Sequence, residues 1–179
     1  MEKKETEAKK ETEAKKELTR KKIIAFMEAN DWNYDYDENS GVIFSGISLK
    51  GYASSLRYCI LIKDRIVLNY AVLPFNVKKH VKRVVEYLCR INMHLIYGNF
   101  EFDYRDGEIR FKLDTSLDSI LTDEYNIGLL IYKPAFTVDS CIKGLVQVMT
   151  GIMKPEAAIK LAEKENDEKL KKENDEKEE

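Results

Sequence analysis

The chain has 179 residues, of which 44% are hydrophobic, 35% charged and 10% aromatic, and its formal net charge is −2. This length predicts one domain, and so small a net charge does not favour a general binder of nucleic acid or of anionic membranes. No apolar run approaches the roughly 18 residues that a membrane span requires, and the N-terminus is charged where a signal peptide would be apolar. We therefore expect a soluble, cytoplasmic protein with no membrane partner.

Repetitive, charged segments flank the part of the sequence that resembles a globular domain. Residues 1–17 carry six Lys and six Glu, and their Glu residues stand four positions before Lys, a spacing that supports a solvated helix. Residues 164–179 are similarly charged and poor in apolar side chains, which favours a solubilising tail. The sequence thus predicts a charged N-terminal tail or helix over residues 1–17, an α+β domain over 18–163 and a charged C-terminal tail over 164–179.

The first half of the domain shows a helical pattern followed by alternating ones. Apolar residues from Leu18 to Met27 predict an amphipathic helix, and the alternation of Trp32, Tyr34 and Tyr36 with polar residues predicts a half-buried strand. Three further strands are predicted over residues 42–49, 56–62 and 66–72. Their connections are short, so the strands must pair as an antiparallel meander, because parallel pairing requires a long crossover.

A basic helix is predicted next, over residues 76–92. Valine and leucine recur there at helical spacing, while Lys and Arg occupy the other faces. Pro74 lies just before this segment, and Asn76 is the candidate N-cap.

The remaining residues predict a hairpin and more helices. Asp106-Gly107 between two alternating runs is the strongest short-range hairpin signal, since both central residues of that turn require positive φ. Residues 117–133 suit either a helix or a strand. An amphipathic helix is predicted from Thr137 to Gly151, and Pro155 suits the first turn of a last helix. Together these elements predict an α+β fold, an antiparallel sheet with helices packed on one face.

Residues that usually carry catalysis or bind metals form no recognisable set. His80 and His94 are 14 positions apart, with no thiol or carboxylate cluster at ligand spacing. The sequence contains neither a P-loop nor a Gly-x-Ser-x-Gly nucleophile elbow. We therefore predict no enzyme activity, no catalytic residue, no metal site and no cofactor.

Two groups of residues are candidates for binding a partner. Aromatic side chains are the usual anchors of protein interfaces, which favours Trp32, Tyr34 and Tyr36 on the first strand, although core packing explains them equally well. The alternative is a nucleic-acid-associated regulator whose basic helix contacts phosphates. Its candidate residues are Lys78, Lys79, Lys82 and Arg83. The near-neutral charge of the domain favours an ordinary solvated helix face over a nucleic-acid partner.

From Leu73 onward the sequence resembles the YbjN family, which shares the fold of the type III secretion chaperones. The similar segments are LPF at 73–75, LCRIN at 88–92, YGNFEFD at 97–103, DGEIRF at 106–111 and GIMKPEAAI at 151–159. The resemblance implies a type III secretion chaperone-like fold. It also implies a non-enzymatic protein-binding module, chaperone-like or regulatory, that binds another protein or peptide and forms a homodimer. Both repetitive tails and residues 114–136 depart from the family pattern.

Overall fold

The computed structural model describes residues 2–161, with side chains from Thr6 onward. The tail predicted over residues 164–179 lies outside this range. The described residues form five helices and six strands. In chain order these are α1 (Glu2–Ala29), β1 (Tyr34–Asp37), β2 (Val42–Ser48), β3 (Ser55–Ile62), β4 (Ile66–Asn76), α2 (Val81–Asn92), β5 (Asn99–Phe102), β6 (Glu108–Ser116), α3 (Leu117–Thr122), α4 (Tyr125–Met149) and α5 (155–161).

The six strands form one antiparallel sheet in the order β1-β2-β3-β4-β6-β5. Side chains alternate between its faces, so that Tyr58 and Ile60 on β3 are buried while the intervening Cys59 is half-buried and Arg57 exposed. Helices α1 and α4 both cover the face that carries Tyr58. The structure therefore confirms the predicted α+β fold, with an antiparallel sheet and helices on one face.

Helix α1 is one continuous element that includes the charged repeat. The ammonium group of Lys15 lies 3.6 Å from the carboxylate of Asp118 on α3, and that of Lys16 lies 3.4 Å from Asp64 between β3 and β4. The second half of α1 buries Ile23 and Met27 in the core. Large apolar side chains begin only at Leu18 in the described part of α1, and these ion pairs link the charged half of the helix to the domain.

The predicted start of the last long helix is wrong. Helix α4 begins at Tyr125, not at Thr137, and residues 127–132 are helical rather than a strand. The interior of this helix contains Pro134, a residue that lacks an N–H group and usually ends a helix. Here the helix continues, because the buried side chain of Asn69 on β4 donates a hydrogen bond to the carbonyl that Pro134 leaves without a partner.

The predicted start of the basic helix is also wrong. Strand β4 continues through Pro74 to Asn76, so Asn76 is a strand residue and not an N-cap. The N–H of Val77 then donates a 2.8 Å hydrogen bond to the carbonyl of Gly107, which keeps the chain extended beside the hairpin. Helix α2 starts only at Val81, after His80 in the left-handed conformation with φ of 57°.

The structure confirms the hairpin predicted at Asp106-Gly107, but not the two-residue turn with positive φ at both residues. Strands β5 and β6 pair around a loop in which Gly107 has φ of +83°, and Asp106 is not among the residues with positive φ. The N–H of Asp103 bonds to the carbonyl of Glu108, and the N–H of Gly107 bonds to the carbonyl of Asp103. The connection is therefore longer than a two-residue turn and needs one left-handed residue rather than two.

Candidate protein-binding surface

An apolar groove runs along the surface between α1 and the N-terminal half of α4. Tyr125, Leu129, Tyr132 and Phe136 are spaced four, three and four residues apart on α4, so their side chains lie on one side of the helix. The groove has a volume of about 510 Å³. Its lining residues are Phe26, Glu124, Tyr125, Gly128, Leu129, Tyr132, Lys133 and Phe136. We call it the α4 groove.

Two large rings of the α4 groove are open to solvent. Tyr125 is 70% exposed and Phe136 is 69% exposed. Both belong to a helix whose other face is buried against the sheet, so the amphipathic pattern of α4 does not account for them. Exposed apolar side chains that cluster in this way mark binding surfaces more often than isolated ones do.

Gly128 opens the groove between α4 and α1. A Cβ atom placed on Gly128 would lie 3.6 Å from Cζ of Phe26, at ordinary contact distance. Without it, the ring of Phe26 forms one wall of the groove and meets Tyr132 edge to face, with ring centroids 6.1 Å apart. Glu124 and Lys133 are the charged residues in the lining, so the groove can recognise a ligand mainly by apolar and aromatic contact.

Trp32 supports the α4 groove from the side of the core. Its indole ring stacks on Tyr58 at 5.8 Å and meets Tyr132 edge to face at 5.7 Å. The indole Nε1 donates a 3.4 Å hydrogen bond to the hydroxyl of Tyr132. The prediction that Trp32 belongs to the first strand is wrong, because β1 begins two residues later at Tyr34; Trp32 instead fixes the position of a ring that lines the groove.

Tyr34 and Tyr36, the other two predicted anchors, face α1. The hydroxyl of Tyr34 donates a 2.7 Å hydrogen bond to Glu28, and this bond raises the pKa of Tyr34. The guanidinium carbon of Arg20 lies 4.5 Å from the ring centre of Tyr36. Both tyrosines are half-buried. A role for Trp32, Tyr34 and Tyr36 in binding a partner stays a prediction.

The four cations of the alternative site lie together but not on one helix. Lys78 and Lys79 belong to the connection before α2, while Lys82 and Arg83 are in its first turn, and all four are exposed. In the part of the chain that the structure describes, none of them forms an ion pair with an acidic side chain. Lys78 also borders a surface depression of about 880 Å³ whose lining includes the exposed ring of Tyr104.

The groups with perturbed pKa values are dispersed over the molecule. Hydrogen bonding to Arg105 lowers the pKa of Asp103 on the hairpin to about 2. Burial raises the pKa of Tyr58 and of the Cys141 thiol, both of which lie in the core. Among residues 2–161, no group of three His, Cys, Asp or Glu side chains could hold a metal ion. Nor does any helix of this range have the length and apolar character needed to cross a membrane.

The sequence did not predict the α4 groove, because most of its residues lie in the stretch that suited either a helix or a strand. Tyr125, Leu129 and Tyr132 lie within residues 117–133, where helix and strand were both open, and Phe136 follows Pro134. Their spacing indicates a common face only once the segment is known to be helical. The spacing of these residues is therefore present in the sequence, but it indicates one helix face only if the helix is known to continue through Pro134.

Comparison with known proteins supports the fold assignment. No family model and no curated protein matches the sequence. Among solved structures, the chain is similar to the crystal structure of YbjN, a proposed transcription regulator from E. coli, with a TM-score of 0.50 and 10% sequence identity. The match covers 65% of this chain and 83% of that one.

The sheet order and the helices on one face define an α+β protein of the antiparallel type. The structural match identifies its fold as YbjN-like, as the resemblance in the sequence predicted. At this level of identity the similarity concerns the fold, and function has to be argued from the surfaces of this chain.

Proposed function

We propose that this chain is a non-enzymatic protein-binding module, chaperone-like or regulatory, that acts as a homodimer joined through the α4 groove. The observation that carries the proposal is the exposure of Phe136 and Tyr125 beside a groove with apolar walls. Leaving apolar surface in water costs about 25 cal/mol per Å², so covering these rings stabilises an assembly. Aromatic side chains at a groove are also the usual energetic centre of a protein interface.

The geometry of the groove suits a second copy of the same helix. Phe136 projects four residues after Tyr132, and the open floor at Gly128 lies four residues before it. A two-fold axis at Tyr132 that pairs the helices antiparallel therefore seats each Phe136 over Gly128 of the other copy. Such an interface is isologous, with one surface used twice. Its predominantly apolar lining also fits homodimers, whose interfaces are more apolar than those of transient complexes.

Sedimentation equilibrium tests this interface. We expect the wild-type chain to be a dimer, and both Phe136→Ser and Gly128→Leu to be monomers, because one loses the projecting ring and the other fills the floor. Ile96→Ser is the matched control, since Ile96 is 90% exposed but lies outside the groove. It should stay dimeric. Circular dichroism confirms that each variant is folded. A monomeric wild type, or folded groove variants that remain dimers, would contradict the proposal.

The regulatory alternative of this proposal is consistent with the YbjN-like fold, and the free thiols bear on the cellular compartment. YbjN itself is a proposed transcription regulator. Cys59, Cys89 and Cys141 are unbonded, as expected of a reducing compartment, and we place the protein in the cytoplasm. Its partner in this proposal is another protein or peptide.

A second candidate function is binding of nucleic acid by the basic segment. It is favoured by the exposure of Lys78, Lys79, Lys82 and Arg83 without acidic partners in the described structure. Phosphate contacts release counterions, so binding must weaken steeply as salt rises. A gel shift at low and at physiological salt tests this, with a Lys78→Glu, Lys79→Glu double variant as the comparison. Absence of a shift at low salt would exclude this function.

A further inference from the structure

We propose that the surface depression beside Lys78 binds single-stranded nucleic acid, with a base stacked on Tyr104 and phosphates held by the neighbouring cations. We call it the Tyr104 site. This inference rests on the second candidate function, nucleic-acid binding by the basic segment. It names the form of nucleic acid that is bound and the side chain that holds a base. The site is separate from the α4 groove.

Aromatic rings line the Tyr104 site from both sides. Phe75 comes from the end of β4, Phe102 from the end of β5, and Tyr104 from the loop that joins β5 to β6. Tyr104 is 73% exposed, and it meets Phe102 edge to face with ring centroids 5.0 Å apart. This contact orients the ring of Tyr104 while most of the side chain stays open to solvent. An exposed, oriented ring is a platform on which an unpaired base can stack.

Hydrogen bonds hold the two sides of the Tyr104 site together. The N–H of Val77 donates to the carbonyl of Gly107 at 2.8 Å, and Asn76 Nδ2 donates to the carbonyl of Asp106 at 3.2 Å. Gly107 permits this close approach, because a Cβ atom placed on it would overlap the carbonyl oxygen of Val77. The site is therefore formed before a ligand arrives, which reduces the ordering cost of binding.

Cations without acidic partners adjoin the rings. Lys78 lines the depression itself. Three further cations follow it along the chain into the first turn of α2: Lys79, Lys82 and Arg83. All four are exposed, and within residues 2–161 none of them forms an ion pair with an acidic side chain. Their charges are thus available to the phosphates of a strand whose base reaches the depression.

The acidic side chains at this end of the hairpin do not cancel these charges. Asp103 pairs with Arg105, and Glu108 lies 3.9 Å from Arg57. Asp106 remains in the lining of the depression, against the four cations that have no acidic partner. The local balance is therefore positive although the whole chain is nearly neutral, and an approaching strand is attracted by the local field.

The combination of a ring with adjacent cations favours a single strand over a duplex. The bases of a duplex stack on one another, so an exposed tyrosine finds no free base face within it. Each nucleotide of a single strand offers one phosphate and one base face, which are the two groups that the Tyr104 site can bind. Such stacking tolerates any base, so DNA and RNA single strands share this chemistry. An acidic peptide would use the cations but not the ring.

Fluorescence anisotropy with labelled oligonucleotides of about ten nucleotides tests the inference. The probes are oligo(dT), oligo(U) and a DNA duplex of the same length. At low salt we expect the single strands to bind, with the tighter one identifying the ligand as DNA or RNA, and the duplex to bind at least about tenfold more weakly. Tyr104→Ala should weaken single-strand binding at least about fivefold, whereas Tyr104→Phe should retain it. Tyr125→Ala is the matched control, since Tyr125 is 70% exposed but lines the α4 groove.

Two further measurements separate stacking from charge attraction. The Lys78→Glu, Lys79→Glu double variant should flatten the salt dependence of binding, while Tyr104→Ala should leave that slope unchanged. A poly-Glu peptide of equal length should compete poorly with oligo(dT). Circular dichroism confirms that each variant is folded. Equal binding of duplex and single strands, equal competition by the peptide, or unchanged affinity in a folded Tyr104→Ala variant overturns the inference.

The outcome is separable from that of the broader nucleic-acid function. Binding of duplex and single strands alike, lost in the double lysine variant but not in Tyr104→Ala, overturns the stacking site and leaves the second candidate function standing. Binding of none of the probes at low salt overturns both. The homodimer is tested independently, because Phe136→Ser should bind oligo(dT) with unchanged affinity.

Discussion

The side-chain amide of Asn69 donates a 2.9 Å hydrogen bond to the main-chain carbonyl of Leu130. In an uninterrupted helix this carbonyl would accept from the residue four positions later, which here is Pro134 and has no N–H. Asn69 is fully buried on β4. A strand side chain thus supplies the hydrogen bond that the helix lacks, and α4 remains continuous across the sheet.

Replacing Asn69 should therefore destabilise the protein in a way that depends on Pro134. Asn69→Leu leaves the carbonyl of Leu130 buried without a donor, at a cost of about 1–3 kcal/mol in the free energy of unfolding. In a Pro134→Ala background the restored N–H satisfies this carbonyl, so the same substitution should cost clearly less. Urea unfolding of the four proteins in this double-mutant cycle measures the coupling. Equal costs in both backgrounds would show that the two residues do not compensate each other.

Tyr58 stabilises α4 at Ile131, the residue that follows Leu130. Its hydroxyl donates a 2.8 Å hydrogen bond to the carbonyl of Ile131, and burial raises its pKa above the ordinary value near 10. The folded state favours the neutral phenol, so its contribution is complete below pH 10 and is lost as the pH rises further. Tyr58→Phe lacks this titration.

Urea unfolding between about pH 8 and about pH 11 measures this effect. The stability advantage of the wild type over Tyr58→Phe should shrink as the pH rises. A constant difference across this range would mean that the phenol of Tyr58 does not titrate differently in the folded and unfolded states.

Position 107 requires glycine for two reasons: its backbone is in the left-handed region, and the main chain of Val77 lies very close to it. It has φ of +83°, and a Cβ atom placed on it would overlap the carbonyl oxygen of Val77. Gly41 has φ of +69° but nothing within 4 Å of such an atom. We expect Gly41→Ala to cost about 1 kcal/mol from backbone strain alone, and Gly107→Ala about 3 kcal/mol or more. Thermal unfolding compares the two variants, and similar losses would argue against the close approach of Val77.

Asp103 should titrate at unusually low pH. Its hydrogen bonds from Arg105 lower its pKa to about 2, so the ion pair contributes to stability above the unfolded pKa and is lost as the pH falls through 2. Carboxyl NMR titration should show this low value in the wild type and a higher one in Arg105→Ala. Arg83→Ala is the control, because it removes a cation elsewhere. An unchanged Asp103 titration in Arg105→Ala would assign the shift to another cause.

The parts of the fold that depend on local pattern could be predicted from the sequence. Gly107 punctuates two alternating runs, so the last hairpin is evident, and the short connections among the first four strands require antiparallel pairing. The start of α2 could not be read in this way. It depends on the hydrogen bond between Val77 and Gly107, which are 30 residues apart and meet only in the folded sheet.

The candidate surfaces depended even more on tertiary structure. The aromatic row of the α4 groove becomes visible only when α4 is known to pass through Pro134, and that requires the side chain of Asn69 from β4. The alternation that suggested Trp32, Tyr34 and Tyr36 as anchors was visible in the sequence. Their common orientation toward the helices was not, and neither was the depression that Lys78 and Tyr104 line together.

The interface of the proposed homodimer can be tested most directly by isotope-filtered NOE spectroscopy on a mixture of labelled and unlabelled chains. Only contacts between different copies give signals in this experiment. The account predicts cross-peaks from the ring of Phe136 to the Hα atoms of Gly128 and to the ring of Tyr132. Absence of these cross-peaks in a dimeric sample, with contacts at another surface instead, would contradict it.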